Sequence, residues 1–480
     1  MTCASCNLAD TPPSGSDSID LLVVGSGSAA FAAAIRATEL GASVTLVERG
    51  TLGGTCVNVG CIPSKTLIRA AEARHRAGLR AFDGIRATIA PTDLAAVVAQ
   101  KDALVHDLRR AKYEDVLAAH PSIRLVRGHA RLRPDATVEI DGEPMRARRV
   151  LLCLGASAHV AAIPGLADTP FLTSTTAMEL GRLPQHLVVL GGGFVALEIA
   201  QAFLRFGSRV TVVARSRLLR GEDPELVSLL STYLRAEGLE LAEDAAIERV
   251  DCQAGHFRVA LRQEGASRTI EGDELLVATG RRPNTRGVGL EEAGIALGPS
   301  GEIVVDPFLR TSHPHVFAAG DVLGDPAFVY VAAYAGALAA DNALADAGRT
   351  YDVGAVPRVT FTDPAIASVG LTEVDARARG HSVVVSRLPM SFVPRAVAAR
   401  DTRGLVKLVA DAGTNRLIGA HVLAPEAGDV IQEAVVAIRF GIRVDELAAT
   451  FHPYLTSVEA LKLACQGFQK DVTKLSCCAA

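Results

Sequence analysis

The 480-residue chain lacks a strong charge of either sign: 49 Lys and Arg stand against 53 Asp and Glu, for a formal net charge of -4. So even a balance argues against nucleic acid or an anionic membrane as partner and favours small molecules. Long hydrophobic runs are also missing. No stretch approaches the roughly 18 uninterrupted apolar residues of a spanning helix. The opening Met1 to Ser18 has neither the basic start nor the apolar core of a secretory signal. A cytoplasmic location with no membrane partner is therefore expected. A disordered composition is excluded too, because 49% of residues are apolar and 21% charged, with 43 Gly and 22 Pro. At roughly 150 residues per domain, this length predicts about three domains. The nine cysteines are an odd number, which in a reducing compartment points to redox or metal chemistry at a few positions rather than a disulfide framework.

What is present is one nucleotide-binding plan, used twice. Asp20 to Val24 reads as a buried strand, followed by Gly25-Ser-Gly27-Ser-Ala-Ala30 and a helical stretch from Phe31 to Leu40. In such a turn, bare glycines let the backbone approach a pyrophosphate and the helix N-terminus holds its charge. A second strand, Ser43 to Val47, ends at Glu48, 23 residues after Gly25, where an acid can bind the ribose hydroxyls of an adenosine. The plan recurs as Leu187 to Leu190, Gly191-Gly-Gly193-Phe-Val-Ala196, a helix through Phe203 and a strand Arg209 to Val213. Here the second strand ends in Ala214-Arg215-Ser216-Arg217, with Arg220 close behind. Guanidinium groups without a carboxylate suit a ribose 2′-phosphate, so NADPH is the expected second cofactor. The competing reading is a solvated basic loop.

Three further strand-to-glycine turns end at Gly155, Gly280 and Gly320-Asp321. The first two bracket the second unit, and the third returns to the first nucleotide. The expected organisation is a disordered N-terminal segment 1–16, a discontinuous first nucleotide-binding domain 17–157 plus 281–353, an NADPH domain 158–280 and a C-terminal domain 354–480. The fold class is α/β, with two Rossmann-like domains and a C-terminal α+β domain in which Val359-Thr-Phe-Thr and Leu405 to Val409 alternate with helical stretches such as Ala427 to Phe440.

The most specific string is Gly53-Gly54-Thr55-Cys56-Val-Asn-Val-Gly-Cys61-Ile-Pro-Ser-Lys65. Cysteines five apart near a helix start lie on successive turns, close enough for a disulfide if the first turn is distorted, and the helix N-terminus favours thiolate. A zinc half-site is disfavoured because no second Cys/His pair stands at zinc spacing.

On these residues the chain after residue 17 resembles the pyridine nucleotide-disulfide oxidoreductases, FAD enzymes that pass electrons from a nicotinamide cofactor to disulfides or metal ions. The resemblance implies that Cys61 is the thiolate against the flavin and Cys56 the outer, interchange thiol. It implies that Lys65 sits near flavin N5 with Glu198 as its partner, and that Asp321 binds the ribityl chain. Gly54, Thr55 and Gly155 join the FAD site and Gly280 the NADPH site.

Disulfide-reducing members carry a histidine and a glutamate near the C-terminus. Here the string is Phe451-His452-Pro453-Tyr454-Leu-Thr-Ser457-Val-Glu459. The glutamate position falls on Ser457, and Glu459 would pair with His452 only after a two-residue shift. The ending Cys477-Cys478, with Tyr113 and Tyr454, resembles instead the mercuric-ion-reducing members of the family. That likeness implies reduction of Hg(II) to Hg(0) and a homodimer. In it, the tail cysteines of one subunit collect Hg(II) from small-thiol complexes and serve Cys56 and Cys61 of the other, with the two tyrosines helping to position the ion. Cys477 and Cys478 are thus expected metal ligands beside Cys56 and Cys61. Cys3 and Cys6 match a heavy-metal-binding loop without the surrounding module, whereas Cys153, Cys252 and Cys465 read as packed or incidental. The alternatives are an NADPH-dependent flavin disulfide reductase and a non-catalytic metal-sequestering protein, which would leave both nucleotide sites unused.

Overall fold

The computed structural model describes residues 19–79 and 81–474. They form two compact units: residues 19–58, Leu104–Ser157 and Arg281–Asp352 make the first, and residues 59–79, 81–103, Ala158–Gly280 and 353–474 the second.

The first unit is built on a five-stranded parallel sheet in the order Val316–Ala318, Ala147–Leu152, Ile19–Val24, Val44–Glu48, Ile123–Arg127. Its central strand reads as a continuous apolar run because both faces are covered, and Leu21, Leu22 and Val23 are fully buried. On one face pack the helices Ser28–Glu39 and Val329–Ala345. They approach so closely that a Cβ at Gly336 would stand 2.0 Å from the Ala29 carbonyl oxygen. A three-stranded antiparallel sheet, Ala130–Leu132, Val138–Ile140 and Glu143–Met145, contributes to the core on the other face. The strand leading to Gly320 pairs with Ala147–Leu152, so it does return to the first sheet.

The second unit carries the repeated plan as a four-stranded parallel sheet, Glu240–Ala242, Arg209–Val213, His186–Leu190, Glu274–Val277. A three-stranded meander, Ala246–Gln253, His256–Gln263 and Ala266–Gly272, covers one side. Its C-terminal part is an antiparallel five-stranded sheet, Arg358–Thr360, Ala365–Gly370, Leu417–Ala424, Leu405–Asp411, Val383–Pro389. The helices Ala427–Arg439 and Glu459–Gln466 cover that sheet. Residues 59–103 join this unit through side chains that satisfy helix and loop carbonyls: Thr92 Oγ1 donates to Phe206 O at 2.8 Å and Lys101 Nζ to Met178 O at 3.0 Å. Among the described residues no helix is long and apolar enough to cross a membrane.

Candidate active site

The first glycine turn is shaped by what a side chain would strike. Gly25 has φ +117, and a Cβ there would lie 2.3 Å from the Cys153 carbonyl oxygen. Gly54, at φ +65, faces Gly27 so closely that a Cβ on it would stand 2.7 Å from the Gly27 Cα. The two glycine segments thus form a bare backbone floor. Gly27 starts the helix Ser28–Glu39 without a side-chain cap, which leaves the first-turn N–H groups for a ligand, and Ala30 behind it is fully buried. Glu48 is oriented by two donors: Ser26 Oγ gives a 2.6 Å bond to Oε2, and Gly50 N a 2.6 Å bond to Oε1. Asn58 braces the floor by donating to Leu52 O and Gly54 O, both at 2.8 Å. Asp321 opens a short 3-10 turn, and burial pushes its carboxyl pKa up against the pull of Arg281. Thr55 is half-buried on the helix Gly54–Val59, and Gly155 adopts φ +66 after the strand Ala147–Leu152. An open floor, an uncapped helix start and a fixed carboxylate fit the adenosine diphosphate part of FAD.

The cysteine segment is not one helix with a distorted first turn, as its spacing suggests. Cys56 lies on the short helix Gly54–Val59, Gly60 breaks the path with φ -126 and ψ -109, and Cys61 is the first residue of the helix Cys61–Gly78. That helix also starts without a side-chain cap, so its dipole and orphan N–H groups favour negative charge on Cys61. Both thiols are partly accessible. Cys153 and Cys465 differ: both are buried, and burial raises both thiol pKa values, that of Cys465 to about 12. They are packed thiols, as the sequence suggested, and Cys252 is half-buried on the strand Ala246–Gln253.

One turn along the same helix, Lys65 Nζ donates to Glu198 Oε2 at 2.7 Å. Glu198 is almost fully buried, and its other oxygen accepts the Phe361 backbone N–H at 3.0 Å. The ammonium also stands 4.5 Å above the Phe361 ring, a cation–π contact. The predicted pair is therefore made, with Phe361 as a partner that no spacing rule pointed to.

Tyr113 sits in a five-residue π-helical turn, Arg110–Glu114, a type of irregularity frequent at functional sites. Its ring packs edge-on against Phe31 at 4.7 Å, and a Cβ at Gly53 would be 3.1 Å from it. The structure thus brings Tyr113 to the segment that leads into Cys56.

The second turn repeats the first. Gly191 has φ +132 and a Cβ there would lie 2.2 Å from the Ala278 carbonyl oxygen, whereas Gly193 faces open space. Gly193 starts the helix Phe194–Phe206 without a side-chain cap, and Ala196 is fully buried. Gly280, at φ +131, also faces open space. No acid ends the second strand: Ala214 is buried, while Arg215 and Arg220 are exposed. Arg217 is turned back onto backbone, donating to the Arg220 carbonyl at 2.6 Å. The donor set fits a dinucleotide with a 2′-phosphate, with Arg215 and Arg220 as its basic residues.

His452 has an acid partner, but not Glu459. Its Nε2 lies 2.8 Å from Glu433 Oε1 on the helix Ala427–Arg439, whereas Glu459 is buried and its Oε2 has no hydrogen-bond partner. Tyr454 is 52% exposed two residues further on. Cys3, Cys6, Cys477 and Cys478 lie outside the described residues.

Comparison with known proteins agrees with this geometry. The pyridine nucleotide-disulphide oxidoreductase family matches residues 19–336, and the dimerisation domain of the same family matches residues 356–465. A mercuric reductase of Streptomyces lividans is 50% identical, over 96% of this chain and 98% of its own length. Those of Shigella flexneri and Lysinibacillus sphaericus are 47% and 45% identical over 97% and 96% of this chain, and 83% and 85% of their own. Among solved structures, the Cu(II) complex of the HOCl-induced flavoprotein disulfide reductase RclA from Escherichia coli superposes with a TM-score of 0.84 at 30% identity, covering 94% of this chain and 99% of that one. The chain belongs to the pyridine nucleotide-disulphide oxidoreductase family, among its mercuric reductases.

Proposed function

We propose that the chain catalyses NADPH + Hg(II) → NADP+ + H+ + Hg(0). The observation that carries this reading is an accessible cysteine pair that lies in the sequence between two nucleotide cradles of opposite charge preference, in a chain 50% identical to a mercuric reductase over 98% of that protein's length. Gly25, Gly27, Ala30, Glu48, Gly54, Thr55, Gly155 and Asp321 would hold FAD, and Gly191, Gly193, Ala196, Arg215, Arg220 and Gly280 would hold NADPH. When bound, FAD accepts a hydride equivalent from NADPH and passes on an electron pair, which is chemistry no side chain supplies.

The protein's own residues handle the ion and the charges. Cys56 and Cys61 are soft ligands suited to Hg(II), and thiolate-to-thiolate exchange lets the ion move between them without ever being free. The uncapped helix start at Cys61 stabilises the anionic sulfur that ligation needs. Lys65, held by the buried Glu198, would place one positive charge beside the flavin. Tyr113 and Tyr454 help to position the ion. In a cytoplasmic homodimer, Cys477 and Cys478 of one subunit would take Hg(II) from small-thiol complexes and deliver it to Cys56 and Cys61 of the other. Replacing both tail cysteines by Ala should impair turnover in excess thiol and leave NADPH-dependent flavin reduction intact.

The test is NADPH oxidation with Hg(II) in excess small thiol, run beside glutathione disulfide and lipoamide. Hg(II) should support much faster oxidation than either disulfide. Vigorous disulfide turnover with none of Hg(II) would give the chain to the disulfide reductases instead.

A further inference from the structure

The segment 450–458 carries Tyr454 in a conformation that needs support. Leu455 sits at φ +62, in the left-handed region that non-glycine residues rarely adopt. Two side chains of the segment are tied to carboxylates of one neighbouring helix and its N-cap: His452 to Glu433, and Ser457 Oγ, which donates to Glu426. His452 makes a second contact, Nδ1 to Thr450 O at 2.9 Å, and its side chain is only 3% exposed.

The chemistry of these two contacts fixes the state of the ring. A neutral imidazole has one N–H and one lone pair, so it donates from one nitrogen only. Both partners here, a carboxylate and a carbonyl, are acceptors. Both contacts can be hydrogen bonds only if the ring carries two protons. The surroundings favour that form: the Glu433 carboxylate raises the His452 pKa, burial opposes it, and Lys462 on the helix Glu459–Gln466 is the opposing cation. The Cys465 thiol on the same helix also faces Glu433, and burial pushes its pKa up to about 12.

We propose that His452 is a positioning residue, a doubly hydrogen-bonded imidazolium latch that fixes segment 450–458 and thereby holds Tyr454 in place. The functional part of this inference rests on the role given to Tyr454 above. Loss of a proton breaks one of the two bonds, so the latch holds at low pH and loosens as pH rises through the pKa of His452. An amide in place of the Glu433 carboxylate can donate to the neutral ring, so it preserves both contacts after the proton is lost.

The chain contains no tryptophan, so Tyr454→Trp in the full-length holoenzyme creates a unique reporter. Acrylamide quenching of this residue, followed between about pH 5 and 9, should rise with pH. Glu433→Gln in the same background should flatten the rise, because the amide donates to the neutral ring and keeps both contacts. His452→Gln should roughly double quenching at low pH and remove the pH dependence. Amide hydrogen exchange of segment 450–458 in His452→Gln with Tyr454 intact gives a reading free of the reporter, and should be several-fold faster than in the parent. Unchanged exchange and pH-independent quenching, with Hg(II) turnover lowered, would overturn the latch and make His452 a proton-handling group. A loosened segment with unaltered Hg(II) turnover would uphold the latch and remove Tyr454 from the proposed function.

Discussion

The two nucleotide cradles differ where their backbones do not. Each has a strand, a glycine at strongly positive φ pressed against a carbonyl, an uncapped helix start and a buried alanine behind it. Each forbids a Cβ at its first glycine to within 0.1 Å of the same clearance, 2.3 Å at Gly25 and 2.2 Å at Gly191. The divergence lies at the end of the second strand. Glu48 is held by Ser26 and Gly50, whereas the equivalent stretch offers buried Ala214 and exposed Arg215. The backbone is built alike in both, and the proposed choice of cofactor rests on a few side chains.

That comparison can be broken most severely at the glycines. Gly25→Val should leave a chain without FAD, since the new side chain must displace the Cys153 carbonyl. Gly191→Val should retain flavin but block its reduction by NADPH. Flavin absorbance per chain and anaerobic reduction separate the two, and loss of flavin in both would show that the cradles are not independent.

Cysteine replacements come next and should spare both cradles. Cys56→Ala and Cys61→Ala are each expected to keep FAD and its reduction by NADPH while losing nearly all Hg(II) turnover. Only Cys61→Ala should lose the long-wavelength thiolate-to-flavin absorption band. A band lost in Cys56→Ala and kept in Cys61→Ala would reverse the two roles.

The arginine pair sharpens the cofactor distinction. Charge-assisted contacts to a phosphate are worth about 1.5 to 3 kcal/mol each. Arg215→Ala with Arg220→Ala should therefore weaken NADPH by roughly ten- to a hundredfold per lost contact and leave NADH almost unchanged, as read from KM for each. Equal losses would mean that these arginines do not read the 2′-phosphate.

The smallest effect is expected at Ser26, which orients Glu48 at 2.6 Å and accepts a longer 3.3 Å bond from the Gly53 N–H. Ser26→Ala removes the Glu48 bond, worth about 1 kcal/mol, together with the weaker Gly53 contact. FAD retention on dilution should fall about fivefold, with the KM for NADPH unaffected.

Both cradles were legible in the sequence because a glycine-rich turn is a local device: strand, turn and helix are contiguous, and steric need for glycine leaves a fixed spacing. Strand ends were read within a residue or two, and the return of Val316–Ala318 to the first sheet followed from its strand-to-glycine pattern. The Lys65–Glu198 contact spans 133 residues and was reachable only through family resemblance. Other parts of the site left no such trace. Glu433 pairs with His452 because the helix Ala427–Arg439 packs beside the C-terminal segment, and a motif search from His452 looks downstream, toward Glu459. Phe361 approaches Lys65 through a tertiary fold, and the π-helical turn at Tyr113 arises inside an ordinary helical pattern. The break at Gly60 was hidden too, since cysteines five apart fit one distorted helix as well as two short ones.

The account rests on a two-electron path from NADPH to Hg(II), and the most direct measurement is its stoichiometry. Under anaerobic conditions, NADPH oxidation and released Hg(0) vapour should be counted together in excess small thiol. The account predicts one Hg(0) for each NADPH consumed, with no consumption of NADPH in the absence of Hg(II). NADPH oxidised without Hg(0), or at the same rate whether or not Hg(II) is present, would contradict it.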